Sequence, residues 1–141
     1  MAEIFPNEGC AFIQRIFPKN GTNTASTSCG LFTSQTASTV VAASGVLADI
    51  TATTYGSYAA QQLAAATWGA SSISTGLGIK TAYSQITFPT VTSGPSTING
   101  FYIFDAGALY CIAQANFDDT TAVTVNTNDV IKLTPAIIYG N

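Results

Sequence analysis

The sequence has no histidine and very few charged side chains, and these shortages exclude many kinds of catalytic site. Without histidine, the chain can form no Ser-His-Asp triad, no Cys-His pair and no histidine-ligated metal. Only 8 % of its residues are charged, against about a quarter in typical globular domains. Because 47 % are hydrophobic, the chain is too apolar to be disordered. We therefore expect a surface rich in serine and threonine, or one partly buried in an assembly.

Basic residues are equally scarce, which argues against nucleic acid as a partner. The only cations are Arg15, Lys19, Lys80 and Lys132, and the net charge is −3. Phosphate contacts need clustered lysine and arginine, whereas these four are scattered. No apolar run approaches the roughly 20 residues of a membrane-spanning helix, and the N-terminus lacks the regions of a signal peptide. The sequence predicts a protein made in a cytoplasm, with no membrane partner.

The remaining candidate nucleophiles and ligands lack the spacing of a site. Cys10, Cys29 and Cys111 are most simply buried hydrophobes, and a disulfide formed after lysis is the alternative. Neighbouring Asp118 and Asp119 would point to opposite faces of a strand, so they cannot act as a facing acid and base. A calcium site could use five side chains: Asp118, Asp119, Asn126, Asn128 and Asp129. Their spacing matches no known calcium loop, so we interpret them as turn residues and expect neither metal nor cofactor.

In the second half of the chain, side chains that share a face recur at every second position, and this pattern predicts β-strands. Ile98–Phe117 reads as two apolar runs joined by the turn signal Asp105-Ala106-Gly107, and predicts a central hairpin. The first run is apolar on both faces, with Ile98, Tyr102 and Phe104 predicted to share one of them. Strands of this kind are central in a sheet, or are covered by another layer or another chain.

Further strands are predicted around this hairpin: Cys29–Ser34, Lys80–Phe88, Ala122–Val125 and Val130–Leu133. The last two would form a second hairpin around Asn126–Asp129, and a final edge strand is expected at Ala136–Tyr139. Thr51–Ser57 and Ala70–Gly78 read as loops, and Thr92–Pro95 as the turn into the central hairpin. Six to eight short strands with little helix predict a mainly β fold, an antiparallel β-sandwich or jelly-roll-like domain.

The N-terminal segment Asn7–Phe17 has the pattern of a short amphipathic helix. Asn7 can cap it and Pro18 ends it. The apolar side chains recur at three- and four-residue steps: Phe12, Ile13, Ile16 and Phe17. This face either packs on the chain's own sheet or docks on a neighbouring protein. We divide the single domain into an N-terminal arm, residues 1–20, and a β-domain, residues 21–141.

The segment Tyr58–Trp68, YAAQQLAAATW, fits two structures equally well. Alanine, glutamine and leucine favour a helix, but alternate positions from Tyr58 to Trp68 also suit a strand that ends in an aromatic residue. The flanking Gly56 and Gly69 leave the segment without a strong helix cap. The local pattern leaves both structures open.

Seven short blocks follow one another along nearly the whole chain: Phe5–Gly9 (FPNEG), Gly30–Thr33 (GLFT), Val46–Asp49 (VLAD), Gly56–Gln61 (GSYAAQ), Thr87–Pro89 (TFP), Gly100–Ala106 (GFYIFDA) and Asn128–Pro135 (NDVIKLTP). In this order the chain resembles a family of small structural proteins of tailed bacteriophages, including cyanophages. The resemblance rests on the shared order, because each block alone is short. Ala60 departs from the family, in which arginine is common at that position, and the resemblance favours a strand for Tyr58–Trp68.

The resemblance implies a virion component without enzymatic activity. The leading hypothesis is a capsid cement or decoration protein, which binds the outer face of the assembled shell and bridges neighbouring capsomers. Its expected partners are the major capsid protein and further copies of itself, as a dimer or trimer at local symmetry axes. The side chains expected to contact the shell are apolar ones of the arm and the C-terminal strand: Ile4, Phe5, Phe12, Ile13, Ile16, Phe17, Ile137 and Tyr139.

Two other functions remain open. A tail-tip, baseplate or fibre-associated protein would contact the host surface, and the Ser/Thr-rich loops Thr51–Tyr58 and Ser71–Gly78 could bind carbohydrate there. A small glycan hydrolase is the enzymatic alternative, but it needs two carboxylates that flank the glycosidic bond. The chain has no isolated pair of this kind, so we expect no enzyme.

Overall fold

A computed structural model of the chain describes residues 27–35, 47, 50–64, 67–70, 72–74, 78–105, 110–117 and 122–139. Twelve strands lie within these ranges: β1 (Thr27–Gln35), β2 (Ile50–Ala52), β3 (Gln61–Gln62), β4 (Ser72–Ser74), β5 (Gly78–Ala82), β6 (Ile86–Thr87), β7 (Ser96–Ile98), β8 (Gly100–Asp105), β9 (Tyr110–Asn116), β10 (Val123–Val125), β11 (Lys132–Leu133) and β12 (Ala136–Tyr139). No α-helix occurs in these ranges. The prediction of a mainly β fold with antiparallel sheets is confirmed, whereas the predicted helix Asn7–Phe17 lies outside the described residues.

The largest sheet has the order β2-β1-β8-β9, and every pair in it is antiparallel. The predicted central hairpin is confirmed, because β8 pairs with β9 on one side and with β1 on the other. The predicted strand Cys29–Ser34 is confirmed within β1. The outer edge of β1 is shared, since β2 pairs near its end and β3 pairs at Ser28 and Cys29.

The three smaller sheets form one interrupted antiparallel ribbon. Residues 79–98 run beside residues 123–139, with β5 paired to β12, β6 to β11 and β7 to β10. Between these strands, backbone hydrogen bonds such as that from Phe88 N–H to the Ile131 carbonyl, at 2.9 Å, continue the contact. The central hairpin β8–β9 follows directly after β7, at one end of this ribbon.

The prediction that Ala122–Val125 and Val130–Leu133 form a second hairpin is therefore wrong. Strands form at β10 and β11, and the Asn126–Asp129 turn connects them, but the two strands do not pair with each other. Each pairs instead with a strand of the 79–98 segment. The turn at Asn126–Asp129 was predicted correctly from local residues. The strands that pair with β10 and β11 lie more than twenty positions earlier in the sequence.

Other boundaries also differ from the prediction. The predicted strand Lys80–Phe88 falls in two strands, β5 and β6. Between them, Tyr83 forms an isolated bridge with Trp68 and donates its backbone N–H to the Pro135 carbonyl at 2.8 Å. The loop predicted at Ala70–Gly78 contains β4, and the loop predicted at Thr51–Ser57 begins inside β2. Within Tyr58–Trp68, β3 and an isolated bridge from Trp68 to Tyr83 are the β-structure that the described residues contain.

The main hydrophobic cluster draws side chains from all four sheets. Its buried members include Leu31 of β1, Ile86 of β6, Ile98 of β7 and Ile103 of β8, with Ile137 of β12 packed against them. Burial of each large apolar side chain stabilises the fold by about 1.5–3 kcal/mol before entropy is counted. This shared cluster joins sheets that are not linked into one ladder.

A second cluster covers the opposite face of the largest sheet. Phe32 and Tyr102 are buried there, beside partly buried Leu47, Ile50, Ala52 and Phe104. Both faces of β8 are thus apolar and covered, as predicted. Ile98 was predicted to share the face of Tyr102, and this is wrong: the strand is interrupted at Asn99, so Ile98 joins the main cluster.

Candidate functional site

The residues predicted to contact a partner are mostly outside the described ranges: Ile4, Phe5, Phe12, Ile13, Ile16 and Phe17. The other two lie in β12, which is at one end of the three-stranded sheet β12-β5-β4. Ile137 is partly buried and packs against the main cluster, and Tyr139 pairs through its backbone with Ile79. Their contact with a partner stays a prediction.

A tyrosine side chain completes the hydrogen bonding of the largest sheet. Among the described residues, no strand lies beside Leu31 on the outer edge of β1, between β2 and β3. The Tyr58 hydroxyl accepts the Leu31 N–H at 2.8 Å, and the same hydroxyl lies 3.4 Å from the Leu31 carbonyl oxygen. Thr53 N–H also donates to this carbonyl, at 2.9 Å. Tyr58 thus supplies a partner for a buried backbone group that the strands leave unpaired.

A glycine in β1 makes room for an aromatic ring on the other face. Gly30 pairs with Tyr102 across the strands, and a Cβ atom on Gly30 would lie 2.5 Å from Cζ of the Tyr102 ring. The ring therefore rests directly on the backbone of β1. Tyr102 also lies near Tyr58: burial is the main cause that raises the pKa of Tyr58, and the neighbouring Tyr102 adds to it. These two tyrosines connect the two hydrophobic clusters through the sheet.

Burial keeps the Cys29 thiol and the Tyr58 hydroxyl protonated. It raises the pKa of the Cys29 thiol to about 12. It also raises the pKa of Tyr58, an effect that the Leu31 hydrogen bond opposes and that nearby Tyr102 and Cys29 reinforce. A thiol with so high a pKa is a poor nucleophile at neutral pH. The cluster is therefore suited to structure and not to acid–base or nucleophilic catalysis.

A cleft of about 220 Å³ with a polar lining lies between two loops of the described residues. Six residues line it: Thr54, Tyr55, Ser93, Gly94, Pro95 and Ser96. None of them is charged, and four carry a hydroxyl group. We call this feature the polar cleft. One wall belongs to the loop Thr51–Tyr58, which the sequence suggested as a ligand-contacting loop, and the other follows Pro89.

Hydrogen bonds hold the two walls of the polar cleft together. Gly56 N–H donates to Ser93 Oγ at 3.0 Å, and the Tyr55 hydroxyl donates to the Pro89 carbonyl at 3.3 Å. Deeper, Thr53 Oγ1 lies 3.3 Å from Ser96 Oγ, and Thr53 is buried. The walls are therefore fixed by the fold.

The turn proposed as an alternative calcium site has its own internal partners. Asn126 N–H donates to Asp129 Oδ2 at 2.7 Å, and Asn128 has a positive φ of 76°, which asparagine tolerates in turns. Asp118 and Asp119 lie outside the described residues. Within the described ranges, no group of three or more histidine, cysteine, aspartate or glutamate side chains is placed to hold a metal ion.

Sequence reasoning found one wall of the polar cleft and missed the other. It singled out Thr51–Tyr58 for its hydroxyl-rich composition, but it read Ser93–Pro95 only as a turn. No local signal could have joined the two, because they are about forty residues apart in the sequence and meet only through the folded sheets. The second suggested loop, Ser71–Gly78, instead contributes strand β4.

No protein-family model, curated protein or solved structure matches this chain. In the part of the chain that the structure describes, no helix is long and apolar enough to cross a membrane.

Proposed function

We propose that the protein is a structural component of a tailed-phage virion, without enzymatic activity. We further propose that it acts as a capsid cement or decoration protein on the outside of the assembled shell. The observation that carries this proposal is the order of the seven sequence blocks together with the way they meet in space. In the fold, blocks that are distant in the sequence lie next to one another, as the parts of one structural framework would.

The contacts between blocks are specific. Gly30–Thr33 lies in β1 and pairs with Gly100–Ala106 in β8, where Leu31 faces Phe101. Thr87–Pro89 pairs with Asn128–Pro135, since Thr87 faces Lys132. Blocks that are distant in the sequence thus form neighbouring strands.

The block Gly56–Gln61 joins the same framework through a side chain. It supplies Tyr58, whose hydroxyl accepts a hydrogen bond from the backbone of Leu31 in the block Gly30–Thr33. Five of the seven blocks therefore meet around the main hydrophobic cluster or at its edge.

Cement activity needs a rigid domain with few charges and an apolar contact for the shell. The β-domain supplies the first, and we propose that its sheets pack as a β-sandwich or jelly-roll, supported by the one cluster that all four share. The arm and β12 would supply the apolar contact for the shell. A protein that binds the assembled shell in preference to free capsid subunits stabilises the shell by mass action, and a dimer or trimer would fit a symmetry axis.

Co-sedimentation with assembled shells tests this proposal. The purified protein should pellet with shells built from the major capsid protein, and it should not associate with unassembled capsid subunits. Bound shells should also resist heat better than bare shells. Failure to bind assembled shells would reject the cement function.

A second candidate function is favoured by the polar cleft. As a tail-tip, baseplate or fibre-associated protein, the chain would contact the host surface through a polar ligand. The cleft lies beside the hydroxyl-rich loop Thr51–Tyr58, and its walls are cross-linked by hydrogen bonds. This function would place few copies in each virion, whereas cement would place many.

A further inference from the structure

We propose that the polar cleft is a binding site for one neutral sugar ring or a similar polyol. The proposal gives a ligand class to the site on which the second candidate function depends, but it rests on the geometry of the cleft alone. Its failure would remove support for host-surface contact and would leave the cement proposal untouched.

The walls of the cleft are held in place by contacts within the protein itself. Gly56 accepts a hydrogen bond from the backbone of Thr92, at 3.3 Å, and donates one to Ser93 Oγ, at 3.0 Å. A Cβ on Gly56 would lie 2.5 Å from Thr92 Oγ1, so the two loops are in close contact. Because the site is ordered beforehand, a ligand would lose little binding free energy to ordering it.

The opposite wall, formed by the segment Ser93–Ser96, is also held by close contacts. Gly94 approaches the backbone of Val125, Asn126 and Thr127, and a Cβ on it would lie 3.1 Å from each. Val125 is buried in the main hydrophobic cluster. The segment Ser93–Ser96 is therefore held between the Thr51–Tyr58 loop on one side and the start of the Asn126–Asp129 turn on the other.

The hydroxyl groups that line the cleft have hydrogen-bonding capacity to spare. A hydroxyl offers one donor and two acceptor positions. Ser93 Oγ uses one acceptor position for Gly56 N–H, and Ser96 Oγ shares one hydrogen bond with Thr53. Thr54 is exposed, which leaves its hydroxyl open to a ligand in the cleft. A ring of sugar hydroxyls, each both donor and acceptor, matches this lining.

The lining also indicates that the ligand is neutral and small. None of the six lining residues is charged, so a charged ligand would lose hydration without gaining an opposite charge. The volume of 220 Å³ is below the roughly 300–1,000 Å³ typical of sites for drug-sized ligands. A single ring therefore fits better than an extended chain. Pro95, which is exposed, provides a small apolar surface against which the C–H groups of a sugar can rest.

Titration of the full-length protein, observed by two-dimensional amide NMR, tests this inference. The probes are glucose, galactose and N-acetylglucosamine as neutral rings, with glucuronate as a charged one. At least one neutral sugar should shift the amides of Thr54, Ser93 and Ser96 in a saturable way, with a Kd of about 1–10 mM. Glucuronate should bind more weakly than the neutral sugar of the same shape.

Two variants and a control locate the binding. Thr54→Val keeps the shape of the side chain and removes its hydroxyl, and it should weaken binding by about threefold to tenfold. Thr54→Trp should fill the cleft and abolish binding while the rest of the spectrum shows an intact fold. Thr124→Val removes another exposed hydroxyl, on β10 and outside the cleft, and should leave the affinity unchanged.

Three results would overturn the inference. If none of the neutral sugars shifts the lining amides in a saturable way, the cleft holds water only. If binding persists unchanged in both Thr54 variants, the sugar binds elsewhere on the protein. If glucuronate binds more tightly than glucose, the ligand class is wrong.

Discussion

The Tyr58 hydroxyl bonds to the backbone of Leu31 at a position on the outer edge of β1 where, among the described residues, no strand pairs. It accepts the Leu31 N–H at 2.8 Å, at the point on the edge of β1 that lies between the pairings with β2 and β3. Leu31 is fully buried, so water cannot replace this partner. The Tyr58 ring packs against the main cluster, lying edge-on to Tyr55 and stacked on Phe88. The Tyr58 side chain thus bonds to the sheet through its hydroxyl and packs in the main cluster through its ring.

Replacing Tyr58 by phenylalanine should destabilise the fold by about 1–3 kcal/mol, because the buried Leu31 N–H loses the hydroxyl that accepts it. Equilibrium unfolding in urea measures the change. Tyr83→Phe is the matched control: the Tyr83 hydroxyl accepts the Ala64 N–H at 3.0 Å, but Ala64 is exposed and water can take over. The control should cost about 0.5–1 kcal/mol. Equal losses in the two variants would contradict the special role of Tyr58.

The contact between Gly30 and Tyr102 makes a second prediction. Gly30→Ala should destabilise the fold by about 1–3 kcal/mol, because the new methyl group would overlap the buried Tyr102 ring. The double variant Gly30→Ala/Tyr102→Leu should lose less stability than the sum of the two single changes. Gly69→Ala is the comparison: its Cβ would lie 3.2 Å from the Ala82 carbonyl oxygen, a tight contact that overlaps no ring, so it should cost less than Gly30→Ala. Strictly additive losses in the double variant would show that the ring is not the obstacle.

Burial of Cys29 predicts a loss of stability at alkaline pH. The fold raises the pKa of this thiol from its ordinary value of 9.0 to about 12. Below pH 9 the thiol keeps its proton in both the folded and the unfolded chain. Cys29 then makes its full contribution to the free energy of unfolding. Between pH 9 and 12 the unfolded chain releases the proton first, so the free energy of unfolding falls as the pH rises. Tyr58 acts in the same direction, because its pKa is also raised.

The variant Cys29→Ala tests this prediction. Its free energy of unfolding should fall less steeply over the same pH interval than that of the wild-type protein. Alkylation followed by peptide mass spectrometry gives a second measurement: Cys29 should react slowly in the native protein and quickly in urea. An unchanged pH slope together with rapid native labelling would contradict the buried thiol.

The sequence predicted what depends on local pattern. Alternating apolar residues located the β8–β9 hairpin and showed that both faces of β8 must be covered. The polar residues of Asn126–Asp129 correctly indicated a turn. These features depend on periodicity and turn chemistry, which act over a few residues.

What the sequence did not predict depends on distant residues. β10 and β11 flank a turn, yet each pairs with a strand of the 79–98 segment, because those pairings place Val125 and Ile98 in the common core. The alternation is interrupted at Asn99, between β7 and β8, and the backbone N–H of Asn99 donates to the Phe32 carbonyl at 2.8 Å. The polar cleft has the same origin, since the sheets bring its two walls together.

The N-terminal arm is predicted to carry the contact with the shell. Deletion of Met1–Phe17 should abolish co-sedimentation with assembled shells, because it removes six apolar side chains of the proposed contact. Amide NMR should show that the β-domain stays folded. Within the arm, Phe12→Asp should weaken binding strongly, whereas Gln14→Ala, on the other face of the predicted helix, should not. Undiminished binding by the truncated protein would refute this assignment.

The number of copies in each virion tests the proposed cement function most directly. Purified virions can be separated on a denaturing gel, and the band of this protein can be quantified against the major capsid protein. A cement protein occupies equivalent positions over the whole shell, so its copy number should approach that of the major capsid protein. A count of fewer than about a dozen copies, as the cyclic symmetry of a tail tip would give, would contradict the cement function and favour the tail.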